Sequence, residues 1–105
     1  MELQRYQTAS GDLPFDKWFE ALRDGLAKAK ILARLTRLAA GNPGDSKTVG
    51  NGVLELRIDH GPGYRIYYAL AGQTLILLLC GGDKNTQSQD ISTAKRYWDD
   101  FKRRT

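Results

Sequence analysis

The chain predicts an α+β fold, on three observations. Two apolar stretches of period two are joined by a glycine-proline-glycine turn, an unbroken apolar run follows them, and apolar residues recur at helical spacing on either side of that block. The expected architecture is a small twisted antiparallel sheet of about four strands, with two N-terminal helices or a helical hairpin and a C-terminal helix. A length of 105 residues suits a single domain over 1–105 with one modest core.

The elements are justified in chain order. Glu2 to Thr8 alternates loosely and predicts a short strand, and Ala9 to Pro14 a turn. Phe15, Trp18, Phe19, Leu22 and Leu26 recur at helical spacing, with Asp12 or Asp16 placed to cap the start. Between Ala27 and Ala40, Ile31, Leu32, Leu35 and Leu38 share one side, and Lys28, Lys30, Arg34 and Arg37 lie mostly on the other. Gly25 marks either a hairpin of two helices or a bend in one. The run Gly41-Asn42-Pro43-Gly44-Asp45 ends the helical region.

Three strands follow. Val53 to His60 puts Leu54, Leu56 and Ile58 on one face and Glu55, Arg57 and Asp59 on the other. Tyr64 to Leu70 puts Tyr64, Ile66, Tyr68 and Leu70 on one face and Arg65, Tyr67 and Ala69 on the other. A three-residue loop at Gly61-Pro62-Gly63 pairs His60 with Tyr64 and Arg57 with Tyr67. A loop of even length sets Arg65 beside Leu56 and Ile58, so the pattern selects an odd length or a bulge. Leu75 to Cys80 is apolar throughout, as in a central strand covered on both faces. The strand stops at Gly81-Gly82, either as a turn into the next helix or because the backbone clears space for something that Lys84 touches. Gln87 to Arg104 reads as a helix with Ile91, Ala94, Tyr97, Trp98 and Phe101 on one stripe. Helices on one face of the sheet leave the other face for function.

Composition narrows the function classes. The net charge of +4 is a mild surplus that permits an anionic partner without requiring one. One Cys and one His give no zinc site, and no metal or cofactor is expected. Cys80 has no disulfide partner within the chain, which suits a reducing cytoplasm. No apolar run approaches the roughly 18 residues of a membrane span. The charged residues among the first 20 do not read as a signal peptide. Cytoplasmic localisation is the expectation.

The basic candidates are Arg57 and Arg65 on one face, Lys84 just past the third strand, and Lys47 in the loop before the first. Arginine grips phosphate through a planar fork of N–H donors, and lysine supplies a point charge. With an exposed aromatic such as Tyr67 beside them, they suit single-stranded RNA. The competing reading is cross-strand ion pairing of Arg57 or Arg65 with Asp59 or Glu55. His60 reads as a residue of the turn rather than a general base. Asp83 and Asp90 flank the site, and Asp90 also suits the first turn of the last helix. Trp18, Phe19, Tyr97 and Trp98 read as core. The nucleophile, base and acid of a catalytic triad are not in view.

Four segments together resemble the RelE/ParE superfamily of toxins, and most closely its HigB-like, phage-related "addiction module killer" group. They are GNPGDSK at 41–47, GVLELR at 52–57, GYRIYY at 63–68 and LLLCGGDKNTQSQDI at 77–91. The resemblance covers nearly the whole chain in order. It implies a RelE-like microbial RNase fold and an mRNA interferase activity, a metal-independent endoribonuclease that cuts mRNA in the ribosomal A site and so inhibits translation. In such enzymes the ribose 2′-OH attacks the adjacent phosphate while basic side chains stabilise the added charge.

By the same resemblance, Arg65 matches the central phosphate-contacting arginine and Arg57 a second basic position. Lys84 stands where a catalytic arginine often sits. Tyr67, Asp90, His60 and Lys47 are candidates for proton transfer, and Lys47, His60, Arg57 and Lys84 for RNA contact. Implied partners are the ribosome with its mRNA and a cognate antitoxin, often a helix-turn-helix protein that joins the toxin in repressing their operon. Three positions depart from RelE: its lysines match Val53 and Glu55 here, and its catalytic tyrosine falls near Asp90. A ParE-like inhibitor of gyrase and an inactive interaction module or co-repressor are the alternatives.

Overall fold

The computed structural model describes residues 1–105. In chain order the elements are β1 (Glu2–Arg5), α1 (Pro14–Ala21), α2 (Gly25–Ala39), β2 (Ser46–Gly50), β3 (Val53–Ile58), β4 (Tyr64–Ala71), β5 (Leu75–Asp83), a 3-10 turn at Lys84–Thr86 and α3 (Gln87–Arg104). The strands form one sheet in the order β1-β5-β4-β3-β2. This is the expected α+β fold with two helices before the sheet block and one after, consistent with a RelE-like fold. No helix is long and apolar enough to cross a membrane.

Two details of the sheet differ from expectation. It has five strands, and it is mixed, because β1 runs parallel to β5. The additional strand is β2, in a segment expected to be loop. It folds back on β3 through Asn51-Gly52, whose φ angles are both positive, 58° and 84°. Those angles belong to a two-residue hairpin turn, for which Asn-Gly is the preferred sequence because both positions need the left-handed region.

The helical region divides into two helices. Leu22 leaves α1 in an extended conformation, and Asp24 caps α2 by accepting from the amides of Leu26 and Ala27. Neither Asp12 nor Asp16 caps α1: Pro14 opens that helix, while Asp12 pairs with Lys17 and Asp16 with Arg5. Ala27, Ile31, Leu35 and Leu38 are the buried residues of α2, whereas Leu32 is 53% exposed and stands off the core.

Both faces of the sheet are covered. On one, α1 and α2 set Phe15, Ile31, Leu35 and Leu38 against Leu56, Ile58, Ile66, Tyr68, Ile76 and Leu78. On the other, α3 sets Ala94 and Trp98 against Val53, Tyr67, Ala69, Leu77 and Leu79. Each fully buried aliphatic side chain contributes about 1.5–3 kcal/mol. The expectation of a bare functional face is therefore corrected: α3 takes the face opposite α1 and α2. Strand β5, with its apolar run Leu75–Cys80, lies between β1 and β4, as its pattern required.

In the β3–β4 hairpin Ile58 pairs with Tyr64, Arg57 with Arg65 and Glu55 with Tyr67. The loop is of odd length, as expected, but longer than three residues, so Arg57 faces Arg65 rather than Tyr67. A shift of two residues preserves the faces, and Glu55, Arg57, Arg65 and Tyr67 share one. Strand β5 does not stop at the glycines but runs through them to Asp83. A Cβ on Gly81 would strike the Trp18 indole, and one on Gly82 the Asp90 carboxylate. The space the glycines clear is filled by the chain's own side chains.

Candidate functional site

At one end of the sheet the close of β3, the start of β4 and the close of β5 meet. A cleft of about 350 Å³ lies there, lined by Arg57, Arg65, Lys84, Asp45, Asp59 and the Gly61-Pro62-Gly63 turn. Arg57, Arg65 and Lys84 are thus brought together from three strands' ends.

Arg57 and Arg65 are register partners, so two like charges face each other across adjacent strands. Like charges directly opposite destabilise a strand pair unless an opposite charge lies beside them. The opposing charge is Glu55, whose side chain is wholly buried. Its Oε1 accepts from Arg57 Nε at 2.9 Å and lies 3.8 Å from Arg65 Nε. Its Oε2 accepts from Tyr67 Oη at 3.0 Å and Gln87 Nε2 at 2.7 Å. Burial pushes the Glu55 carboxyl up, but the hydrogen bonds from Gln87, Arg57 and Tyr67 together hold it below its ordinary range. Arg65 also donates from Nη1 to the Gly63 carbonyl at 2.9 Å, while its buried Nε has no hydrogen-bond partner.

Glu55 and Gln87 are therefore part of the site that the sequence reading did not assign to it. Glu55 appeared there only as an ion-pairing alternative, and that pairing is present together with the cleft. The available signal was a lone acid in a strand whose other buried positions are apolar. Gln87 carries no such signal, since only the docking of α3 brings it to Glu55.

The other candidates lie apart from the cleft. Tyr67 is not an exposed stacking surface: it is fully buried beneath α3, and burial together with the Glu55 charge pushes its hydroxyl far up. Lys47 is on β2 rather than in a loop, exposed and paired in register with Glu55, so it flanks the site one strand out. His60 turns to the other side of the sheet, where its Nε2 lies 2.8 Å from Asp24 Oδ2 at the cap of α2. Asp90 sits in the first turn of α3, against Gly82, and accepts from Thr86 Oγ1 at 2.5 Å. Burial raises its carboxyl, Asp83 adds to the rise, and the Thr86 hydroxyl opposes it. Cys80 lies behind it, its thiol pushed up to about 12 by burial and by Asp90.

Lys84 is set by the turn that carries it. The Asp83 carboxylate accepts from the Asn85 amide, and Thr86 Oγ1 accepts from the Asp83 amide, forming a capping box around the lysine. Its exposed side chain borders the cleft from the β5 side.

Residues 17–99 match the family described as "Phage derived protein Gp49-like (DUF891)". An uncharacterized protein of Haemophilus influenzae is 54% identical over 83 residues, covering 79% of this chain and 84% of that protein. The family match spans the stretch from α1 into α3, and with it every cleft residue and both Glu55 and Gln87. The chain belongs to the phage-derived Gp49-like family, a RelE/ParE-like toxin family.

Proposed function

We propose that this chain is the toxin of a type II toxin-antitoxin module, of HigB-like type, and acts as a ribosome-dependent, metal-independent endoribonuclease. The observation that supports this reading is the convergence of Arg57, Arg65 and Lys84 on one open cleft. Two guanidinium forks and an ammonium suit the doubly charged oxygens of a phosphate under attack. The 2′-oxygen forms a bond to phosphorus and loses its proton to a base. The bond to the 5′-oxygen breaks, and that oxygen takes a proton as it leaves. A 2′,3′-cyclic phosphate remains on the upstream fragment.

Arg57 and Arg65 hold the phosphate, Lys84 meets its developing charge, and Lys47 extends the basic track toward the next nucleotide. Proton transfer falls to a carboxyl group. Asp59 is a carboxyl group that lines the cleft, so Asp59→Asn should abolish cleavage, and cleavage that persists in that variant would reject the assignment. The partners are a cognate antitoxin and the ribosome carrying mRNA.

The deciding experiment is induction of the chain in a bacterial host, with mapping of mRNA 5′ ends with and without translation. New ends inside codons, lost when translation is blocked, are the expected result. Arg65→Ala should remove them, with cleavage falling about 100-fold or more, comparable to loss of one transition-state donor. Growth arrest with intact mRNA would refute the ribonuclease reading and direct the search to gyrase.

A further inference from the structure

The two cleft arginines stand opposite each other, and the carboxylate beside them is reached by no solvent. We propose that Glu55 is a positioning residue, clamping the Arg57 and Arg65 guanidiniums as one fixed pair with their outer N–H groups turned to a phosphate in the cleft. The reaction it serves rests on the ribonuclease reading; the clamp itself rests on geometry.

The two carboxylate oxygens do different work. Oε2 is held by neutral donors, Tyr67 from β4 and Gln87 from α3. Oε1 is left to the arginines, and it meets both through Nε. Contact through Nε keeps the terminal nitrogens, which form the fork that matches phosphate, free of that carboxylate. Arg65 is then steered by its Nη1 bond to Gly63, in the turn that walls the cleft.

The buried Nε of Arg65 has no hydrogen-bond partner and lies 3.8 Å from Oε1, so the Glu55 charge holds it without a formed hydrogen bond. Stability alone does not account for Glu55, because buried ion pairs are often replaceable by apolar residues at no loss. What an apolar residue cannot do is keep two facing guanidiniums in register. Donors fixed before reaction act on the developing charge more than on the bound substrate. Removing the Glu55 charge also leaves the cleft more positive. The clamp therefore predicts slower chemistry with substrate binding unchanged or tighter.

Glu55→Gln tests this. Its amide oxygen still accepts from Arg57, and its NH2 can donate to Tyr67 Oη and to a flipped Gln87 amide. Nitrogen relaxation of the arginine Nε–Hε groups should show Arg57 and Arg65 ordered in the native protein and both mobile in E55Q. On programmed ribosomes, the single-turnover cleavage rate at saturation should fall about tenfold or more, with half-saturation unchanged or lower. In an Arg57→Ala background the same change should have a clearly smaller effect, because the two act as a unit. Equal order of both arginines in folded E55Q would overturn the clamp. So would weaker binding at an unchanged rate. Failure of the native protein to cleave mRNA would defeat the ribonuclease reading alone, since the relaxation measurement still decides the clamp. Should E55Q not fold, Gln87→Ala replaces it: lost order at both arginines supports the clamp, and unchanged order rejects it.

Discussion

At Gly81 and Gly82 a hydrogen atom stands where any other residue would place carbon, and Trp18 and Asp90 fill the two spaces. The obstacles differ in kind. The Trp18 indole packs against the core beside Phe15 and Tyr64 and has little freedom to withdraw. Asp90 is a short side chain able to turn. Gly81→Ala should destabilise the protein by about 1–3 kcal/mol in urea denaturation, with much of that excess relieved in a Trp18→Ala background. Gly82→Ala should cost less. At Asp90 the effect depends on pH. Its carboxyl is raised in the folded state, so its favourable contribution is complete below the ordinary carboxylate range and is lost as pH rises through the folded value. Asp90→Asn should therefore raise the melting temperature at neutral pH, and the gain should vanish in acid. A gain that persists undiminished in acid would contradict this account.

At the scale of elements, α2 and the β3–β4 loop are joined by Asp24. One carboxylate oxygen caps the helix by accepting from Leu26 and Ala27, and the other meets His60 Nε2. The hydrogen bond from His60, followed by that from the Ala27 amide, holds the Asp24 carboxyl below its ordinary range. A depressed carboxyl contributes stability above its unfolded value and loses it as pH falls through the folded one. Asp24→Ala should lower the melting temperature at neutral pH, and the difference from the native protein should shrink below about pH 4. Circular dichroism melts across that range measure it. The far end of α3 is tied in a comparable way. Tyr6 Oη donates to Asp100 at 2.5 Å, while Arg104 reaches both Asp100 and the Gln7 carbonyl. These contacts fix α3 across the sheet, and so bring Gln87 to Glu55.

For the whole molecule, the sign of the charge and its placement give different answers. The chain carries +4, but Arg57, Arg65 and Lys84 are matched locally by Glu55, Asp45 and Asp59. Under the proposed function, anion recognition in the cleft rests on aimed hydrogen bonds, with long-range attraction supplied by the rest of the surface. Asp59→Asn should tighten binding of a short single-stranded RNA at low salt, and steepen its salt dependence by less than one unit of log–log slope. Fluorescence anisotropy titrations at several salt concentrations would show it, and unchanged affinity would place the bound phosphates away from Asp59.

The sequence by itself determined the element types outside β2 and the faces of β3 and β4, because each is a matter of local periodicity. Alternation assigned Arg57, Arg65 and Tyr67 to one face whichever odd loop joined the strands, and the apolar run marked β5 as covered on both sides. It also contained the β2–β3 hairpin, in Asn51-Gly52, although that signal is short and its strand is half polar. Only the tertiary structure decided where α3 lies. That one placement buried Tyr67, brought Gln87 to Glu55 and set Asp90 on Gly82. Periodicity gives a helix its apolar stripe but not the surface it will cover. Packing between elements distant in sequence settles that, and with it the difference between a bare functional face and a cleft built around a buried acid.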